Sequence, residues 1–188
     1  MMHFDFDREK GVASALYVCK RLIEAKHQPS LHKIFKIFYF ADQKHIARYG
    51  RPIVGDSYIA MKYGPVPTNL YSIFQSVRGD GDCFPSDTYK EFFEVKGHNV
   101  SPLAAPDLDE LSESEVECLD SSIEENKAKG FGELTRLSHD LAYENAGQNC
   151  DISLRDIAKA AGASQATIAY MHDLSEGRGI MKDACEAR

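Results

Sequence analysis

The sequence has no tryptophan, no C-x-x-C pair, no internal repeat and no apolar run approaching the roughly 20 residues a membrane helix requires. Its five cysteines, Cys19, Cys83, Cys118, Cys150 and Cys185, stand singly. Scattered thiols argue against a disulfide framework and a zinc knuckle, and they suit a reducing compartment. The opening residues, MMHFDFDREK, have acids where a secretory signal would have an apolar stretch. The expected location is therefore the cytoplasm, with no membrane association. Catalytic motifs are missing as well: there is no G-x-x-x-x-G-K-[ST], no G-x-G-x-x-G after a strand, no H-E-x-x-H and no H-x-H. With no complete metal, nucleotide or nucleophile constellation, the chain reads as a non-enzyme with no cofactor and no metal.

What is present is the composition of an ordinary globular protein, 43% hydrophobic and 27% charged over 188 residues. That length suits one domain spanning residues 1–188. The net charge of −7 is unevenly placed. Residues 1–80 carry 12 Lys and Arg against 7 Asp and Glu, whereas residues 81–188 carry 10 against 22. Between Asp107 and Glu125 there are nine acids and no base. That run reads either as a solvated helix face or as an acidic surface for a basic partner.

The periodicity is mainly helical. Val12, Ala15, Leu16, Cys19, Leu22 and Ile23 share one face of a helix over residues 8–26, which His27-Gln28-Pro29 stops. Ser30 is a candidate cap for the next helix, which runs to Gly50. There Leu31, Ile34, Phe35, Ile37, Phe38 and Ala41 cover more than half the circumference, so this helix belongs in the middle of the core. The period then switches to two, and Tyr58–Tyr63 reads as a short strand. Gly64-Pro65-Val66-Pro67 cannot lie mid-helix or in a central strand, and reads as a break. Thr68 is positioned to cap a helix over residues 69–79, and Gly79–Asp82 reads as a turn.

Residues 88–103 read as a hairpin turning at Lys96–Asn99. Ser112-x-x-Glu115 is a capping box for a helix that Gly130 ends. A helical piece over residues 132–146 follows. Residues 152–176 form a helical hairpin with a helix-turn-helix pattern: Ala158 at the contact, Gly162 at the turn, Ser164 as cap and Ile168 buried. The fold class expected is α+β, mainly α, with helices around a central apolar helix, a small antiparallel sheet or hairpin, and that C-terminal hairpin.

Two sets of residues suggest chemistry. Asp42 and His45 lie one turn apart on the same helix face, where they could orient a base, contribute two metal ligands, or brace a neighbouring loop. His139-Asp140 is an HD dipeptide, but such dipeptides need further histidines and an aspartate on other helices. In the helical hairpin, a DNA-reading helix needs cations for phosphates, yet Ser164–Leu174 contains no Lys or Arg and does contain Asp173. DNA binding through this hairpin is the alternative function.

The central helix and the segment after it carry a resemblance. The run Tyr39-Phe40-Ala41-Asp42-x-x-His45, the exit Tyr49-Gly50-Arg51-Pro52-Ile53, then Asp56-x-Tyr58-x-Ala60 and Tyr63-Gly64-Pro65-Val66-Pro67 resemble the Panacea, or SocA-like, antitoxin domain. GFGELTRLSHDLAYENA resembles that family's second signature, so the likeness covers most of residues 10–147. Many members have Trp where this chain has Met61 and again where it has Tyr143. The resemblance implies a non-catalytic antitoxin that neutralises a cognate toxin by direct binding, some such proteins acting as adaptors that present the toxin to an ATP-dependent protease. The contacts expected are Tyr58, Lys62, Tyr63, Pro65, Pro67 and Tyr71, with Asp42 and His45 in support, because Tyr side chains offer rigid contact area at low entropy cost.

Overall fold

Asp7 starts the first helix by accepting a hydrogen bond from Lys10 N–H, and α1 runs over Arg8–Glu24. Its apolar face is buried as the periodicity requires, except that Ile23 lies about half exposed. Ser30 caps α2, Leu31–Tyr49, through Lys33 N–H, and Gly50 closes it in the left-handed region at φ 67°. In this computed structural model, residues 2–80, 84 and 88–186 are described, with side chains only as far as 176. The expected turn at Gly79–Asp82 falls partly outside that set, as do Cys83 and the side chain of Cys185.

Strands β1, Tyr58–Met61, and β2, Gly64–Pro67, form a hairpin turning at Lys62-Tyr63. Gly64-Pro65-Val66-Pro67 is thus an edge strand, where a break was expected. The register explains how it tolerates two prolines. Ala60 turns its N–H and C=O away from β2, towards Cys150 and Asn149, so its partner Pro65 faces outward from the sheet. Pro67 has the same alternation, and a missing N–H costs no ladder hydrogen bond at either position. A third strand, β5 (Asp151–Ile152), pairs with β1 to give the order β2-β1-β5. Two residues are too few to show a period, so this strand left no mark in the sequence pattern.

Helix α3, Thr68–Arg78, does not use Thr68 as its cap. Asp56, twelve residues earlier and almost fully buried, does that work. Its carboxylate accepts from Ser57, Asn69 and Leu70 N–H, from the Asn69 amide and from the Thr68 hydroxyl, all within 2.9–3.1 Å. An anion there also suits the positive end of the helix dipole.

Next come β3 (Phe93–Lys96) and β4 (Asn99–Pro102), a two-stranded sheet joined by the turn Gly97-His98. After a 3-10 turn at Leu108–Glu110, α4 (Glu113–Asn126) begins with the expected capping box. Gly130 starts α5 (Phe131–Ser138) and does not end α4. The helical piece over 132–146 is broken at His139-Asp140, and Asp140 caps α6, Leu141–Ala146. The C-terminal hairpin is α7 (Leu154–Ala160) and α8 (Gln165–Glu186), the latter extending beyond residue 176. Ala158, Ile168 and Met171 are buried there, and Ser164 accepts from Thr167 N–H. The fold is α+β and mainly α, with all strand pairs antiparallel.

Two apolar clusters share α2. One joins it to α1, α3, α4 and the β3–β4 hairpin, and the other joins Tyr39 and Ile46 to β1, β5, α6, α7 and α8. The acids of α4 face the bases of the chain's first half: Glu115 meets Lys10 and Arg51, Asp120 meets Arg21, Glu117 meets Arg48 and Glu125 meets Lys44. Much of the sequence's charge asymmetry is therefore neutralised within the molecule. The exposed pairs contribute little, but Glu115 is fully buried.

Replacing Asp56 with Ala strips α3 of its cap and leaves buried N–H donors unsatisfied. Asp56→Ala should lose roughly 2–4 kcal/mol in urea unfolding. Thr68→Ala should lose well under half as much, because Thr68 supplies only one of the five hydrogen bonds.

Candidate functional site

The polar residues of α2 locate the site. Asp42 is fully buried and accepts from Ile53 N–H and the Tyr58 hydroxyl, each at 2.7 Å. Burial pushes its carboxyl up to about 7, against the two hydrogen bonds that favour the anion. His45, one turn on, donates from Nδ1 to Arg51 C=O at 2.7 Å, which leaves Nε2 to accept from Ser114 at 3.3 Å. Burial lowers its pKa and keeps the ring neutral in this tautomer. Asp42 and His45 thus hold the exit loop Gly50–Ile53 and strand β1, and neither side chain reaches the surface. His139 stacks on Tyr143 at 4.0 Å, while Asp140 accepts from Tyr39 and Gln43 as well as capping α6. The Asp–His and HD pairs serve as braces in this arrangement.

Lys36 is the least expected member. It is 1% exposed, has no carboxylate partner among the described residues, and donates to the outward-facing Pro65 C=O at 2.8 Å. That bond satisfies an edge-strand acceptor which β1 cannot reach. Gly64, at φ 97°, passes so close that a Cβ there would press on the Lys36 side chain and on Ser138 Oγ. The Gly-Pro pair of the hairpin therefore has a specific reason: a left-handed residue without a side chain, then a residue without an N–H. Burial lowers the Lys36 ammonium to about 7.

Of the eight residues expected to contact a partner, the structure brings two to the open surface. Lys62 and Tyr63 form the hairpin tip, with Lys62 Nζ 5.1 Å from the Tyr63 ring centre. Tyr63 is half exposed and meets Phe131 edge-on at 5.1 Å, and Phe131 stacks on His32 at 4.0 Å. Burial lowers His32 to about 4, the positive charge of Lys36 adding to the effect, so that ring is neutral. Tyr71 is partly buried, edge-on to Phe35 at 5.9 Å. Tyr58, Pro65 and Pro67 are buried. Sequence reasoning missed Phe131, His32 and Lys36. A lysine flanked by Phe35 and Ile37 on a helix apolar over most of its girth was the available signal for Lys36. Nothing local could have paired Phe131 with Tyr63, 68 residues apart in number.

The Lys36 amine is charged up to about pH 10.5 in the unfolded chain but only to about 7 when folded. Between those values the unfolded state binds the extra proton, so this group makes stability rise with pH. Relative to Lys36→Met, the native protein should gain on the order of 1 kcal/mol per pH unit from pH 7.5 to 9.5 in urea unfolding. Parallel curves for the two proteins would show that the folded lysine stays charged.

Comparison with curated proteins and with solved structures finds no match. A family model described as antitoxin SocA-like, Panacea domain, matches residues 34–144, from the first turn of α2 to within α6. That span exceeds half the chain and holds Lys36, Asp42, His45, the β1–β2 hairpin, Phe131 and Asp140. The chain belongs to the SocA-like, Panacea-domain antitoxin family.

Proposed function

We propose that this protein is a non-catalytic, cytoplasmic antitoxin, acting as one domain, that neutralises a cognate toxin by direct binding. The observation that carries the reading is the exposed aromatic surface of Lys62, Tyr63 and Phe131, built from both segments that mark the family. Aromatic rings held by neighbours bury large area on binding while losing little side-chain freedom. Other residues of the matched span shape this surface from beneath: Lys36 and Gly64 fix the hairpin, and Asp42 and His45 fix the loop that leads to it, while Tyr71 packs on Phe35. Release of the bound toxin to an ATP-dependent protease is a further step of the same proposal. Among the described residues no helix is long and apolar enough to cross a membrane. DNA reading by α7 and α8 is the less favoured function, since the first eleven residues from Ser164 hold no cation.

Co-expression with the product of the adjacent gene tests this. The neighbour should be toxic alone and harmless beside this protein. Tyr63→Ala combined with Phe131→Ala should weaken toxin binding at least about tenfold with little change in urea unfolding, because both rings are about half exposed. A neighbour that is harmless alone, or that still kills when this protein is abundant, ends the antitoxin reading. A toxin whose half-life is unchanged by this protein ends the protease step alone.

A further inference from the structure

A cavity of about 420 Å³ opens between the first turns of α1, the 88–92 turn and the segment from Ala105 to Glu110. It shares no residue with the Lys62–Tyr63–Phe131 surface, and the family match does not reach α1. Its floor is apolar, formed by Val12, Leu16 and Phe92. Tyr89 lines the wall at 2% exposure, and its hydroxyl has no hydrogen-bond partner among the described residues. A buried hydroxyl left unpaired is unfavourable, and a ligand carbonyl or amide would satisfy it.

The rim is acidic. Glu9, Glu91, Asp107 and Glu110 surround the opening, against Arg8 as the one cation among the described lining residues, its guanidinium 5.2 Å over the Phe84 ring. Carboxylate oxygens of Asp7, Glu9 and Glu110 lie within 4.8 Å of one another. Unlike the acids of α4, Glu9, Asp107 and Glu110 make no ion pair among the described residues. An apolar floor, an unpaired hydrogen-bonding group and a rim of one sign are the components of a binding site. The rim acids come from three chain segments: Glu9 and Glu110 converge with Asp7, while Glu91 and Asp107 extend the negative rim beyond that cluster. That layout suits an extended chain with neighbouring cations better than a small amine.

We propose that this cavity docks a partner-protein segment in which an apolar side chain fills the Val12–Leu16–Phe92 floor and flanking Lys or Arg residues meet the acidic rim. Tyr89 hydrogen-bonds the segment's backbone, and the rim charge steers its approach. The site goes beyond the antitoxin reading, and its test uses no toxin.

The full-length protein would be titrated with three acetylated, labelled pentapeptides: Ala-Leu-Lys-Arg-Ala, Ala-Leu-Glu-Glu-Ala and Ala-Ser-Lys-Arg-Ala. Anisotropy should show the first binding at least about tenfold more tightly than either other, with an affinity that falls as salt rises. Glu9→Lys with Glu110→Lys should abolish that preference, and so should Glu91→Lys, which lies outside any helix. Tyr63→Ala should leave it unchanged. Equal binding of the basic and acidic peptides overturns the proposal, as does unaltered binding in both charge-reversal variants. It is also overturned if calcium alone saturably shifts the NMR signals of Glu9 and Glu110 while the basic peptide leaves them in place.

Discussion

The constraint on which the rest of this structure depends is that α2 must be covered on nearly every side. A helix carrying Ile34, Phe35, Ile37, Phe38, Tyr39, Ala41 and Ile46 has too wide an apolar face for one neighbour to cover. The chain responds by packing α1, α4, α5, α7, α8 and β2 against it, so α2 is common to both apolar clusters. Burial of that extent leaves the polar groups on α2 without water. Each must then find a partner in whichever segment covers it.

Those partners give the fold its specificity. Lys36 takes the Pro65 carbonyl, Tyr39 takes Asp140, Asp42 takes Ile53 N–H and Tyr58, and His45 takes the Arg51 carbonyl. Four side chains on one helix thereby position the edge strand, the start of α6 and the loop between helix and sheet. Hydrophobic cover alone would accept many arrangements, whereas a buried carboxylate accepts only one that supplies its donors. These fasteners and the segments they fasten lie within the span that matches the family, and what the fasteners present to solvent is the hairpin tip.

Charge is organised on the same principle. The basic first half and acidic second half of the sequence meet across α1, α2 and α4. Burial alone would raise the Glu115 carboxyl, but Ser112 N–H, Lys10 and Arg51 together hold it below its ordinary value. Glu9, Asp107 and Glu110 stay outside this pairing, and the cavity beside Tyr89 opens among them.

The sequence by itself determined what depends on near neighbours. Helices with strong period, the Ser30 cap, the Ser112–Glu115 capping box, the Gly97 turn and the central place of α2 all follow from residues within one or two turns of each other, where local sterics and burial decide. The antitoxin family was legible too, because its signature is a string of adjacent segments. Only the tertiary structure decided which side chains reach the surface. Tyr58 and Tyr63 are both tyrosines of one hairpin, yet one is sealed against Asp42 and the other lies open beside Phe131. Likewise the cap of α3 comes from Asp56, and the sheet gains β5 from a distant dipeptide. Such choices depend on pairings beyond the reach of a single element, from Asp56 with the start of α3 to β1 with β5, whose energies exist only once the elements have packed.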